Sequence, residues 1–194
     1  MTAVDRSRLA EIDRIFGESI AACEALRASD LAPLARAVEA VDQALANGQA
    51  VLVFGNGGSA ADAQHFAAEF VGRFARQRRA VPALALTTDT SALTAIGNDY
   101  GFEQVFARQV EAFGAPGDIA LGITTSGSSP NVVAGLETAA ARGLTTIALT
   151  GADGGPAGRL ADIHLHVPHD VTARVQEMHG LLLHVICELV EQGL

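Results

Sequence analysis

Five short, mostly apolar runs punctuate this chain: Val51–Phe54, Ala83–Leu86, Asp118–Ile123, Thr145–Thr150 and Ile163–Val167. Each is bounded by glycine, proline or small polar residues. Runs of this length without alternation predict strands buried on both faces, the pattern of a parallel sheet. Between them the apolar spacing becomes helical, from Ala60 onward, in a short stretch through Ile96, over Phe102–Phe113, over Val132–Arg142 and over Thr172–Val190. Residues 151–158 are rich in glycine and predict a flexible loop. Ahead of the first strand, residues 3–47 show helical spacing in two pieces broken near Ser29, Asp30 and Pro33. The first piece carries Leu9, Ile12, Phe16, Ile20 and Cys23; the second carries Leu34, Val38, Val41 and Leu45. Strands alternating with helices predict an α/β fold, a doubly wound five-stranded parallel sheet with ligands at the strand C-terminal ends. A long amphipathic helix ahead of the sheet has little sheet to cover, which suits an oligomer contact.

Two strand-to-helix turns carry chemistry. After the first strand come Gly55, Asn56, Gly57, Gly58 and Ser59, with Ser59 placed as N-cap of the next helix. Glycines there let backbone amides approach a ligand, and the helix start adds its dipole, so the turn suits an anion. It is neither a P-loop nor a dinucleotide fingerprint, since no Gly-Lys-Ser/Thr follows and the glycines do not fit G-x-G-x-x-G. The second turn is Thr124-Thr125-Ser126-Gly127-Ser128-Ser129-Pro130, with Ser129 as N-cap and Pro130 at the first helical position. Five hydroxyls beside exposed amides suit a phosphomonoester, which needs several short donors.

His65 and Glu69 stand at i, i+4 on the helix after the first turn. Such a pair can be a surface ion pair, can ligate a metal, or can hold a base against a substrate. In the last helix Gln176, Gly180 and His184 run along one side, with roughly 12 Å of rise between Gln176 and His184. Either both side chains bend inward or one serves a neighbouring subunit. Gly97-Asn98-Asp99-Tyr100-Gly101 reads as a polar turn, in which Asn98 and Asp99 either shape the turn or bond sugar hydroxyls. Arg73, Arg76, Arg78 and Arg79 form a basic cluster that reads as a solvated face, from which Arg73 could reach a phosphate or sugar. His164 and His166 share a face of the final strand and read as solvated edge residues.

Composition narrows the classes. The 194 residues, 49% of them hydrophobic, fit one domain with an ample core. A net charge of -9 argues against non-specific nucleic-acid binding. All thirteen basic residues are arginine, so lysine Schiff-base and pyridoxal phosphate chemistry are excluded. Cys23 and Cys187, far apart, read as reduced packing residues. Without a signal-like or membrane-length apolar stretch, a cytoplasmic protein is expected, with no membrane or nucleic-acid partner.

The segments GNGGSAADAQHFAAEF, TAIGNDYGF, TTSGSSPNV and TARVQEMHGLLLH, in this order and spacing, resemble the sugar isomerase (SIS) domain family. More narrowly, they are similar to sedoheptulose 7-phosphate isomerases, over nearly the whole chain. The resemblance implies a flavodoxin-like single domain over 1–194 with residues 1–48 as a helical extension packed in a homotetramer. It implies conversion of sedoheptulose 7-phosphate to D-glycero-D-manno-heptose 7-phosphate, the entry to nucleotide-activated heptose and lipopolysaccharide synthesis. It assigns Asn56, Gly57, Gly58, Ser59, Asn98 and Asp99 to the sugar and Thr124, Thr125, Ser126 and Ser129 to the phosphate end. His65, Glu69, Gln176 and His184 match zinc ligands, with Glu69 and Gln176 also substrate contacts, and Glu69 and His184 match the proposed acid/base pair. An aldose–ketose isomerisation needs such a carboxylate and imidazole to move protons through an enediol(ate). Two positions depart from the pattern: Thr124 replaces a serine, and Ala173 stands where some members carry an acid. A non-catalytic branch, tetramers that bind the bacterial replication initiator protein, resembles this chain nearly as well; the joint presence of Glu69 and His184 favours the enzyme.

Overall fold

The computed structural model describes residues 5–194, so the predicted helical stretch over 3–47 begins outside the described residues. Its two pieces are α1 (Arg6–Ala28) and α2 (Ala32–Ala46). The break falls where Ser29 is extended and the Asp30 carboxylate accepts the Ala32 amide at 2.9 Å. The five predicted strands all form: β1 (Val51–Gly55), β2 (Ala83–Ala85), β3 (Ile119–Thr124), β4 (Thr145–Thr150) and β5 (Ile163–His166). They pair in parallel in the order β2-β1-β3-β4-β5. The chain steps one way from β1 to β2 and then back past β1 to β3. The C-terminal ends of β1 and β3 therefore border the crevice where such sheets bind ligands.

Strand alternation splits the core into two layers. Val51 and Val53 of β1, Ile119, Leu121 and Ile123 of β3, and Ile147 and Leu149 of β4 face α2, α3 (Gly58–Val71) and α8 (Thr172–Glu191). Leu52, Phe54, Ala120 and Ala148 face the other layer, with α5 (Ala107–Phe113) and α6 (Pro130–Ala141). Phe54 stacks on Phe106 at 5.2 Å between centroids, and α6 comes close because Gly135 has no side chain: a Cβ there would lie 2.8 Å from the Phe54 ring. Cys23 packs against the first layer, and Cys187 is a buried free thiol within it.

Four predicted boundaries move, each for a local reason. Ser59 is not the N-cap of α3: Gly57, at φ 57 and ψ -120, turns the chain earlier, and Ser59 sits buried in the first helical turn. The expected polar turn at 97–101 is instead the end of α4 (Thr90–Tyr100), capped by the Asp89 carboxylate on the Ala92 amide and stopped at Gly101, φ 90. Phe102–Phe113 splits into a 3-10 turn, Phe102–Gln104, and α5. The predicted loop over 151–158 contains a short helix, α7 (Gly155–Leu160), started by Gly154 in the left-handed region and Pro156 in the first turn.

Candidate active site

The glycine turn leaves β1 and enters α3 with few bonds of its own. Ser59 N–H donates to the Asn56 carbonyl at 3.0 Å, and Ala60 N–H to the Gly57 carbonyl at 3.1 Å. The amides of Gly57 and Gly58 have no backbone partner among the described residues, the arrangement an anion-binding helix start requires. Beside the turn lies a cleft of about 140 Å³ lined in part by Asn56, Gly57, Thr87, Leu93 and Phe102.

The hydroxyl turn follows β3, the neighbouring strand. Thr124 Oγ1 lies 2.9 Å from Ser129 Oγ and 3.4 Å from Ser126 Oγ, and Ser128 Oγ donates to Ser126 Oγ at 3.1 Å. Ser129 holds the N-cap position of α6, yet its hydroxyl bonds Thr124 and caps no amide. Backbone bonds hold the turn from behind: Gly151 N–H donates to the Thr125 carbonyl at 3.1 Å, and Ala157 N–H to the Gly127 carbonyl at 2.9 Å. Gly127, at φ 68, comes so near that a Cβ would lie 2.2 Å from the Gly154 carbonyl oxygen. Four hydroxyls thus gather on one loop.

One side chain absent from the sequence reading ties the two turns. Asn131, 2% exposed in the first turn of α6, exchanges both ends of its carboxamide with Asn56, at 2.8 and 2.9 Å. Nothing in the sequence couples positions 75 apart.

The third component is the face where α3 meets α8. His65 Nε2 lies 2.9 Å from His184 Nε2, and His65 Nε2 lies 3.4 Å from the Glu69 carboxylate. The two rings meet edge to face at 5.2 Å, with Phe74 5.6 Å from the His184 ring. His184 of the same chain therefore joins His65. Gln176 stands higher along α8, its amide against Gly58, where a Cβ would lie 1.9 Å from Nε2. Asp62 was not singled out from the sequence, although 58, 62, 65 and 69 share one helical face. Burial raises the Asp62 pKa, opposed by the Gln176 amide and the His65 ring, and its Oδ2 has no partner among the described residues. Deeper in α8, burial above all, then the Glu69 and Glu191 charges, pushes the Cys187 thiol up to about 12.

Among the described residues no three His, Cys, Asp or Glu side chains form a ready-made cage for a metal. Two of the spacings between donors nonetheless suit a zinc ion. Ligand nitrogens of a tetrahedral zinc stand about 3.3 Å apart, from bonds of roughly 2.0–2.1 Å. The 2.9 Å imidazole pair and the 3.4 Å carboxylate are within a few tenths of an ångström of that spacing. Two imidazoles and a carboxylate with a further position open are the donors of a catalytic rather than a structural zinc. Gln176, directed at Gly58, is not part of that group in this arrangement.

Asn98 and Asp99 are exposed at the end of α4, bonded to one another at 2.7 Å. Arg73 is exposed and donates to the Ala75 carbonyl at 3.3 Å. The side chain of Arg78, read with the basic cluster as solvated, is instead buried: its guanidinium is 3.5 Å from Glu191 and donates to the carbonyls of Phe70 and Gly72 at the C-terminal end of α3. Likewise His164 is half-buried on edge strand β5, within 2.7 Å of Thr150 Oγ1, and burial, then the nearby His166, lowers its pKa.

The match to known proteins agrees with this arrangement. The model of the SIS domain matches residues 16–151. A phosphoheptose isomerase of Bordetella avium is 54% identical over 91% of this chain and 91% of that protein. One of Aquifex aeolicus is 62% identical over 77% of this chain and 78% of that protein. The solved structure of phosphoheptose isomerase from Neisseria gonorrhoeae superposes with a TM-score of 0.90 at 47% identity, covering 95% of this chain and 98% of that one. At this identity and coverage, and with the family model spanning most of the chain, this protein belongs to the SIS-domain phosphoheptose isomerase family.

Proposed function

We propose that this chain interconverts D-sedoheptulose 7-phosphate and D-glycero-D-manno-heptose 7-phosphate. The observation that carries the reading is the His65 imidazole of α3, set 3.4 Å from the Glu69 carboxylate and 2.9 Å from the His184 imidazole of the facing helix α8. The names of relatives at 54% and 62% identity support it. The hydroxyl turn takes the phosphate, with Thr124, Thr125, Ser126 and Ser129 as donors. The glycine turn, with Asn98 and Asp99, takes the sugar. Glu69 removes the proton from C1 of the ketose while His184 protonates the C2 oxygen, giving the enediol. Return of the proton to C2, with loss of the O1 proton to His184, gives the aldose. A bound zinc ion, held by His65, Glu69 and His184 with Gln176 as the fourth candidate, would stabilise negative charge on the enediolate oxygen.

The exposed apolar residues of α1, Leu9, Ile12, Phe16 and Ile20, support assembly as a homotetramer. The product fits the entry to nucleotide-activated heptose, as in lipopolysaccharide synthesis, in the cytoplasm. No described helix is long and apolar enough to cross a membrane. A docking protein for a replication initiator would have no use for a carboxylate set against two imidazoles. Incubation with sedoheptulose 7-phosphate, followed by NMR, tests the activity directly: an aldose anomeric signal is expected, and its absence with metal-replete protein removes the reading.

A further inference from the structure

Both hydrogen-bonding ends of the Asn56 side chain are occupied, and the partner is Asn131. Nδ2 of Asn56 donates to Oδ1 of Asn131 at 2.8 Å, and Nδ2 of Asn131 donates back at 2.9 Å. This closed pair lies between the C-terminal ends of β1 and β3, where the strand order reverses. The glycine turn needs such a tether. Gly57 holds φ 57 and ψ -120 with no side chain of its own to pack, and its neighbour is also glycine. Two consecutive glycines lose more freedom on ordering than any other pair, so an untethered turn would be ordered at the expense of ligand binding. Asn131 is well placed to supply the tether. It is 2% exposed, and it sits in the first turn of a 12-residue helix that begins at the hydroxyl turn.

We infer that Asn131 is a positioning residue for the isomerase reaction. It fixes the glycine turn relative to the hydroxyl turn, so that the sugar and phosphate ends of one substrate are met at a set separation. Asn56 then serves the sugar through its main chain, its side chain being engaged in the tether. The inference rests on the proposed isomerase reading for its kinetic consequence but not for its structural one.

The experiment compares wild type, Asn56→Ala, Asn131→Ala, the double variant and the isosteric Asn131→Asp. The last keeps the volume of the buried site should the alanine variant fail to fold. Steady-state kinetics use sedoheptulose 7-phosphate; hydrogen exchange is followed without ligand at Ser59 and Ala60, whose amides donate to the Asn56 and Gly57 carbonyls. Expected are KM values raised about 10-fold, the scale of one or two neutral hydrogen bonds, with kcat changed less than about 3-fold. The double variant should be no worse than either single one, and exchange at the Ser59 and Ala60 amides should accelerate equally in both. A loss in Asn56→Ala ten times that in Asn131→Ala, or additive losses, would mean that Asn56 touches the sugar with its side chain and would overturn the inference. Should the wild type not turn over this ketose, the isomerase reading falls, while the exchange data still decide: equal acceleration upholds the tether, and unchanged exchange overturns it.

Discussion

Gly58→Ala separates the stability of this fold from its chemistry. A Cβ at residue 58 would lie 1.9 Å from Nε2 and 2.5 Å from Cδ and Oε1 of Gln176. Unbonded atoms settle at about 3.5–4.0 Å, so the Gln176 amide must retreat by roughly 1.5 Å or more. What yields is the end of a flexible side chain, and the Gly58 backbone lies outside the left-handed region, so the helix itself is not strained. Alanine is better than glycine within a helix by about 1 kcal/mol at most, which predicts an unchanged or slightly raised Tm. Misplacing a positioned group by about 1 Å can cost on the order of 10²-fold in rate, and kcat/KM should fall on that scale. Thermal melts and steady-state isomerase assays read the two effects separately. In a Gln176→Ala background the same glycine substitution should add nothing, because no amide remains to displace. Full activity in Gly58→Ala, or a Tm lowered by more than about 5 °C, would show that Gln176 is not held where the reasoning needs it.

Glu69→Gln should bind the sugar phosphate nearly as well as wild type while kcat drops about 10²- to 10⁴-fold, the range for a lost general base; calorimetric binding beside turnover measures both. Elemental analysis of purified protein should find zinc or a similar divalent ion, and dialysis against a chelator should lower activity that added zinc restores; a metal-free, fully active sample would remove the ion from the reaction. His179 is fully buried with neither ring nitrogen hydrogen-bonded among the described residues, and burial, opposed by the Thr150 backbone, lowers its pKa to about 4. Since the unfolded imidazole titrates near 6.5, the unfolded chain binds the extra proton as pH falls from 6.5 towards 4, and stability is lost in that window. At pH 5 this amounts to about 2 kcal/mol relative to neutral pH. Urea unfolding at pH 7.5 and 5.0 should show a loss smaller by that amount in His179→Leu, and equal losses would mean that the imidazole charges within the fold.

The sequence by itself determined the order and kind of nearly every buried element. Runs such as VLVF and IALGIT leave no polar face for water, and helical spacing between them leaves one stripe to cover a sheet, so a parallel doubly wound fold follows. It also placed His65 and Glu69 on one helical face and five hydroxyls in one turn, because both facts are local. Ends of elements were less legible where a glycine decides: Gly57 starts α3 ahead of Ser59, and Gly154 with Pro156 makes a helix of an expected loop. Arg78 shows the same limit from the other side, since only Glu191, brought in from the far end of the chain, turns a basic cluster into a buried pair. The tertiary structure alone decided that α8, after the edge strand β5, lies along α3, which sets His184 against His65 across 119 positions and Gln176 against Gly58. It alone decided that Asn131 engages Asn56. Local spacing encodes which face a side chain takes; which face meets which is settled only when the whole core closes and the buried amides and imidazoles must find partners.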